Sequence, residues 1–199
     1  MSVKVARVQE TKKKSVVREW IESIIVALVL AMVIRAFLVQ AFKIPTGSMR
    51  PTLIEGDLIL VNKFIYGARL PFTDIRLPAL TEPKRGDIIV FIFPGDRKKD
   101  FIKRLVGLPA DTVEIKNGSI YINDKPLLDS VFSQRYYYNK GDYAKEGVKI
   151  TVPKDSYFVM GDNSASSMDS RYWGFLSKKE LLGKAMLIYF PPNRIRIIK

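Results

Sequence analysis

The longest apolar run of the chain extends from Trp20 to Phe42. Ser23–Ile34 carries no charge, and Arg35 interrupts before Ala36–Phe42. About 20 apolar residues suffice for a helix to cross a bilayer, so the pattern predicts a transmembrane anchor over 20–42. Arg35 lies seven residues before Phe42, roughly 10 Å along a helix axis, close enough for its guanidinium to approach the headgroups. Beyond Phe42 the period changes to that of strands. Asp57–Asn62, Ile88–Phe93, Phe101–Leu108, Ser156–Met160, Ala185–Phe190 and Arg194–Ile198 read as β. Asp111–Ile122 reads as a hairpin, because alternating residues flank Asn117-Gly118, whose backbone suits a tight primed turn. Ser177 as N-cap, with Glu180 three residues on, predicts a short helix over Ser177–Leu182. Tyr66–Pro83 and Gln134–Val148 read as loops.

Charge orients the anchor. Lys12, Lys13, Lys14 and Arg18 precede it, which places residues 1–19 in the cytoplasm and the chain after Lys43 outside. Val39-Gln40-Ala41 has the small residues of a signal-peptide cleavage site, but the long basic lead and Arg35 oppose that reading. The organisation expected is therefore a basic tail (1–19), an anchor (20–42) and a mainly antiparallel β, barrel-like extracytoplasmic domain (43–199) with a small β subdomain inserted at about 111–152. The net charge of +13 asks for an anionic partner, lipid headgroups or nucleic acid, and the anchor favours lipid over nucleic acid. The apolar cluster Leu70, Pro71 and Phe72 is expected to touch the bilayer. The sequence carries no signal for oligomeric state.

Composition then narrows the chemistry. The chain has no Cys and no His, so thiolate nucleophiles, disulfides and the usual zinc or iron ligand sets are excluded, and no cofactor is expected. A hydroxyl nucleophile here needs a carboxylate or a neutral lysine as its base. Ser48 is the candidate hydroxyl. Pro45 fixes one backbone angle, Gly47 frees another, and Pro51 disfavours helix at Arg50, so Ser48 sits in a stiff, non-helical turn. Lys103 lies inside the apolar strand Phe101–Leu108, on the face opposite Ile102 and Arg104. Burial would release its proton: at an ordinary pKa near 10.4 only about 0.04% is neutral at pH 7, and a base needs a value of roughly 7–8. A third polar segment, Gly161–Gly174, brings hydroxyls together with Asp169 and Arg171.

Taken in order behind an anchor, Ser48-Met49-Arg50-Pro51-Thr52-Leu53, Gly86–Phe91, Lys103-Arg104 with Gly107-Leu108-Pro109, and Gly161-Asp162-Asn163 through Gly174 resemble the bacterial type I signal peptidases. The resemblance covers nearly the whole chain. It implies a membrane-bound serine endopeptidase that removes signal peptides from exported preproteins, with Ser48 as nucleophile and Lys103 as general base. It implies that the Thr46 hydroxyl joins the Ser48 N–H in an oxyanion hole. Ser167 would orient the lysine amine, and Asp169 and Arg171 would brace the loop. It also implies shallow apolar pockets lined by Phe42, Ile44, Met49, Leu53, Ile59, Val90, Phe101 and Ile102, several of them also core residues, for the small residues before the cut. Ala110 departs from the glycine frequent in the family. A self-cleaving repressor protease would share a Ser–Lys pair, but it would carry a DNA-binding domain in place of residues 1–42. A membrane-anchored module that only binds peptide or lipid is the non-enzymatic alternative.

Overall fold

The computed structural model describes residues 15–33, 39–67 and 75–198. Alternation decides most of it. In Leu58–Asn62 (β2) every second residue is buried, with Ile59 and Val61 facing the core, as expected of a strand with one covered face. Ile88–Ile92 (β3) is buried nearly throughout, so it belongs in the middle of the sheet. The main sheet runs in the order β1-β2-β11-β3-β4-β9-β10, all antiparallel, where β1 is Val39–Lys43, β4 Asp100–Gly107, β9 Ser156–Met160, β10 Leu176–Ser177 and β11 Leu181–Phe190. Arg196–Ile197 (β12) pairs with β11. The path does not close on itself, and the result is an open half-barrel.

A second sheet, ordered β7-β6-β5-β8, comprises Thr112–Lys116 (β5), Ser119–Ile122 (β6), Lys125–Pro126 (β7) and Ile150–Thr151 (β8). Its first hairpin turns at Asn117 and Gly118, both at positive φ (49° and 75°), the primed geometry that this dipeptide favours. Phe158, Val106, Val113 and Ile115 form the core that ties the two sheets. Two other clusters fill the main sheet. One packs Ile44, Met49, Leu53, Ile59, Val90 and Ile188; the other packs Phe91, Leu105, Val159 and Leu176.

Two expectations, the far end of the anchor segment and the helix at Ser177, need correction. Helix α1 spans Val16–Val33, with Arg18, Glu19 and Glu22 in its first turns. Among the described residues no helix is long and apolar enough to cross a membrane. Val39–Phe42, assigned above to the anchor, instead form β1, because their backbone pairs with Ile59–Asn62. Ser177 does cap, accepting from Lys179 N, but the helix is only the 3-10 turn Lys178–Glu180. Pairing with β3 claims Leu181 for β11, and Glu180 is bonded to Arg97 rather than back to its cap. Most of residues 1–19, Arg35 and the Leu70, Pro71, Phe72 cluster lie outside the described residues.

Two features position the site. First, β4 pairs with β3 along Asp100–Arg104 but with β9 only from Arg104 onward, so the Asp100–Lys103 edge is open among the described residues. Second, the end of β9 runs into Gly161–Asn163, which crosses behind the turn that carries Ser48.

Candidate active site

Gly47–Met49 forms a single 3-10 turn between extended Thr46 and extended Arg50 (φ −62°, ψ 144°). Arg50 is extended because the following proline disfavours the helical region. The turn buries Ser48 and Met49, and Met49, wholly inaccessible, wedges it into the core. Asn163 fixes the turn from behind. Its backbone N–H donates to the Ser48 carbonyl at 3.0 Å, and its side-chain amide donates to the Gly47 carbonyl at 3.1 Å. Gly161 permits this approach: a Cβ there would meet Ser167 Oγ and, at 2.5 Å, the Ser48 carbonyl oxygen.

Lys103 reaches Ser48 from β4. Its Nζ lies 2.7 Å from Ser48 Oγ and donates to the Ile102 carbonyl at 3.0 Å. The lysine is 4% exposed and the serine 8%. Burial pushes the Lys103 amine down to about 8, against the pull of Asp169 and Asp162 and with some help from Arg171. The Phe101 ring sits 5.3 Å from Nζ and stacks on Phe93 at 4.2 Å, so aromatic surface replaces water on that side of the amine.

Strand alternation sends the next residue, Arg104, to the other face. There it forms a buried two-pronged ion pair with Asp162, at 2.7 Å on both oxygens. Asp162 also accepts from the Thr52 hydroxyl and from Arg135 at 3.2 Å. Thr52 follows the turn that carries Ser48, and Arg135 comes from the loop after the short helix Ser130–Ser133 (α2). Sequence reading missed this cluster. Its only local signals are Arg104 next to Lys103 and the Asp of Gly161-Asp162-Asn163.

A cleft of about 350 Å³ opens over the pair, lined by Pro45, Thr46, Ser48, Phe101, Lys103 and Met168 among others. Thr46 is exposed at this cleft. Of the eight residues expected to line substrate pockets, Phe101 and Ile102 line it. Ile44, Met49, Leu53, Ile59 and Val90 are at most 2% exposed and form the core beneath, with Phe42 and Ile102 packed against them. Ser167 is buried near Gly161, but its Oγ has no hydrogen-bond partner among the described residues; the second partner of the lysine amine is a backbone carbonyl. Asp169 and Arg171 form a fully inaccessible pair at 2.8 Å. Asp169 also accepts from Gly161 N, while Arg171 donates to Ser164 and to the Ser164 and Tyr138 carbonyls. The pair thus holds the loop that ends beside Ser48. Among the described residues no group of acidic side chains is arranged to hold a metal ion.

The arrangement supplies a buried hydroxyl, an amine with a depressed pKa in contact with it, and an open strand edge beside both. The family model described as "Signal peptidase, peptidase S26" matches residues 17–190. Signal peptidase I P of Bacillus subtilis subsp. natto is 38% identical, over 96% of this chain and 98% of that protein. Signal peptidase I of Pseudomonas aeruginosa is 34% identical, over 92% of this chain and 76% of that protein. A crystal structure of a signal peptidase I from Enterococcus faecalis V583 is 34% identical, covers 52% of this chain and 97% of that one, and superposes with a TM-score of 0.44.

Proposed function

The chain belongs to the signal peptidase family, peptidase S26, and from that premise we propose that Ser48 is the nucleophile and Lys103 the general base of its reaction. It is a serine endopeptidase that removes N-terminal signal peptides from exported preproteins. The observation that carries the assignment is the 2.7 Å separation between two buried groups, Lys103 Nζ and Ser48 Oγ.

Neutral Lys103 takes the Ser48 proton as Oγ bonds to the scissile carbonyl carbon. The oxyanion that forms is met by the Ser48 N–H and the Thr46 hydroxyl. The lysine ammonium then gives its proton to the leaving nitrogen as the C–N bond breaks, leaving an acyl-enzyme. A water, deprotonated by the same amine, attacks the ester; the proton returns to Oγ and the signal peptide leaves as an acid. An extended substrate pairs with the open Asp100–Lys103 edge, which would bring its scissile bond to Ser48. Phe101 and Ile102 supply apolar surface there. Asp169 and Arg171 act by holding the loop that closes the lysine pocket.

The reading extends to a membrane, with the N-terminus in the cytoplasm and residues from 43 on outside. It is supported by α1, whose Trp20, Ile25, Val26 and Leu30 are all exposed, and by the basic residues before it.

Ser48→Ala and Lys103→Ala test the pair. Each should abolish cleavage of a preprotein, followed by mass determination of the products, while peptide binding persists; cleavage retained in either variant would refute it. Thr46→Val should lower kcat by about 10²–10³, as removal of one oxyanion donor does, with thermal unfolding unchanged.

A further inference from the structure

On the face of β4 opposite the catalytic cleft lies a second one, of about 410 Å³, whose lining includes Thr52, Gln134, Ile198 and three arginines, Arg104, Arg135 and Arg196. Among the described residues no Asp or Glu lines it. Two of the guanidinium groups converge on one residue. Arg196 Nη2 donates to the Thr52 carbonyl at 2.5 Å, and Arg135 Nη2 donates to the Thr52 hydroxyl at 3.0 Å. Both nearby carboxylates are already engaged. Asp162 is bridged by Arg104 through both oxygens, with Thr52 and Arg135 added. Asp57 is bridged by Arg194 at 2.7 and 2.9 Å. Arg135 Nε is buried and has no partner among the described residues.

Clustered guanidinium groups repel one another, and a buried N–H without an acceptor costs the fold stability. An oxyanion in the cleft would offset the repulsion. Planar forks match a phosphate through paired N–H···O bonds better than a point charge does. We propose that this cleft binds a phosphate group, held by Arg196 and Arg135 with Gln134 as a neutral donor. The phosphate can belong to a lipid headgroup or be free in solution. Ile195 and Ile197, 58% and 74% exposed on either side of Arg196, offer apolar surface beside the cleft that suits the first source. The site stands independently of the peptidase assignment.

The test uses the full chain in detergent. Sodium phosphate is titrated at pH 7 against sodium chloride of equal ionic strength, and thermal unfolding is read. Phosphate should raise the midpoint in a saturable way that chloride does not. Arg196→Gln should weaken that effect about tenfold or more, the loss expected for one charged hydrogen-bonded fork. Arg196→Lys should be intermediate. In a second arm, phosphatidylcholine vesicles with and without phosphatidylglycerol are added to the same proteins. If Arg196→Gln also loses binding to the phosphatidylglycerol vesicles, and free phosphate displaces them from the unmutated protein, the source is lipid. If vesicle binding is unchanged while the phosphate effect is lost, the source is soluble phosphate. No stabilisation beyond chloride, or equal phosphate response in Arg196→Gln and the unmutated chain, overturns the proposal. Unfolding in chloride alone reports whether each variant is folded.

Discussion

At the scale of single residues, Lys103 as the proposed base is expected to set the pH behaviour. Its amine titrates at about 8 in the fold, chiefly through burial, against an ordinary 10.5. A base must be neutral to act, so kcat/KM should rise about tenfold per pH unit below roughly 8 and level off above it. A flat profile from pH 6 to 9, measured with a peptide that carries no titrating group, would count against Lys103 as the base. The same shift makes a claim on stability. Between about pH 8 and 10.5 the unfolded chain holds the proton and the fold does not, so stability rises with pH across that window. Below pH 8 the full cost of the buried ammonium is present, on the order of 3 kcal/mol. Lys103→Met removes that cost. Its stability relative to the unmutated chain should therefore be highest at pH 6–7 and should fall by about that amount toward pH 10.5, as read from urea unfolding at several pH values. A difference independent of pH would contradict the burial argument.

At the scale of elements, the turn that carries Ser48 has no long helix or strand to fix it, so it depends on what crosses behind it. Gly161→Ala places a methyl group against Ser167 Oγ and the Ser48 carbonyl. The backbone oxygen cannot yield without moving Ser48. We expect kcat to fall at least tenfold with KM little changed, since a small displacement of reacting atoms is costly; unchanged kcat would show that the turn can give way elsewhere. Asp169→Ala leaves Arg171 inaccessible and without its carboxylate, which should cost about 3–5 kcal/mol in equilibrium unfolding. The sequence singled out Ser48 and Lys103, which the fold brings into contact, because their signals are local: a Pro- and Gly-stiffened turn, and a cation amid alternating apolar residues. It also disclosed the Asn117-Gly118 hairpin for the same reason. It did not disclose the Arg104–Asp162–Arg135 cluster, whose partners are 58 and 27 residues apart. Nor did it separate cleft from core among the apolar residues near Ser48. Ile44 and Ile102 look alike in the chain, and only pairing and packing bury the first and leave the second at the open edge. The short helix at Ser177 failed because a cap signal cannot outweigh sheet pairing that begins at Leu181.

At the scale of the whole molecule, the question is how much of the chain the catalytic body needs. The three core clusters draw on residues from Phe42 to Ile198 and on none from α1. The apolar side chains of α1 are exposed instead, a face that favours lipid over water. β1 is different, because Val39–Lys43 pairs residue for residue with β2 and covers what would otherwise be a bare sheet edge. Two truncations therefore separate α1 and β1 from the rest of the sheet. A chain starting at Val39 should unfold within a few degrees of the full one and cleave a short soluble peptide with similar kcat, yet no longer sediment with phosphatidylglycerol vesicles if α1 supplies most of the membrane affinity. A chain starting at Ile44 loses β1 and its partners along β2, and should unfold at clearly lower temperature and aggregate through the exposed edge. If the first truncation failed to fold, α1 would be part of the catalytic body. If the second matched the first in stability, β1 would be dispensable and the sheet would begin at β2.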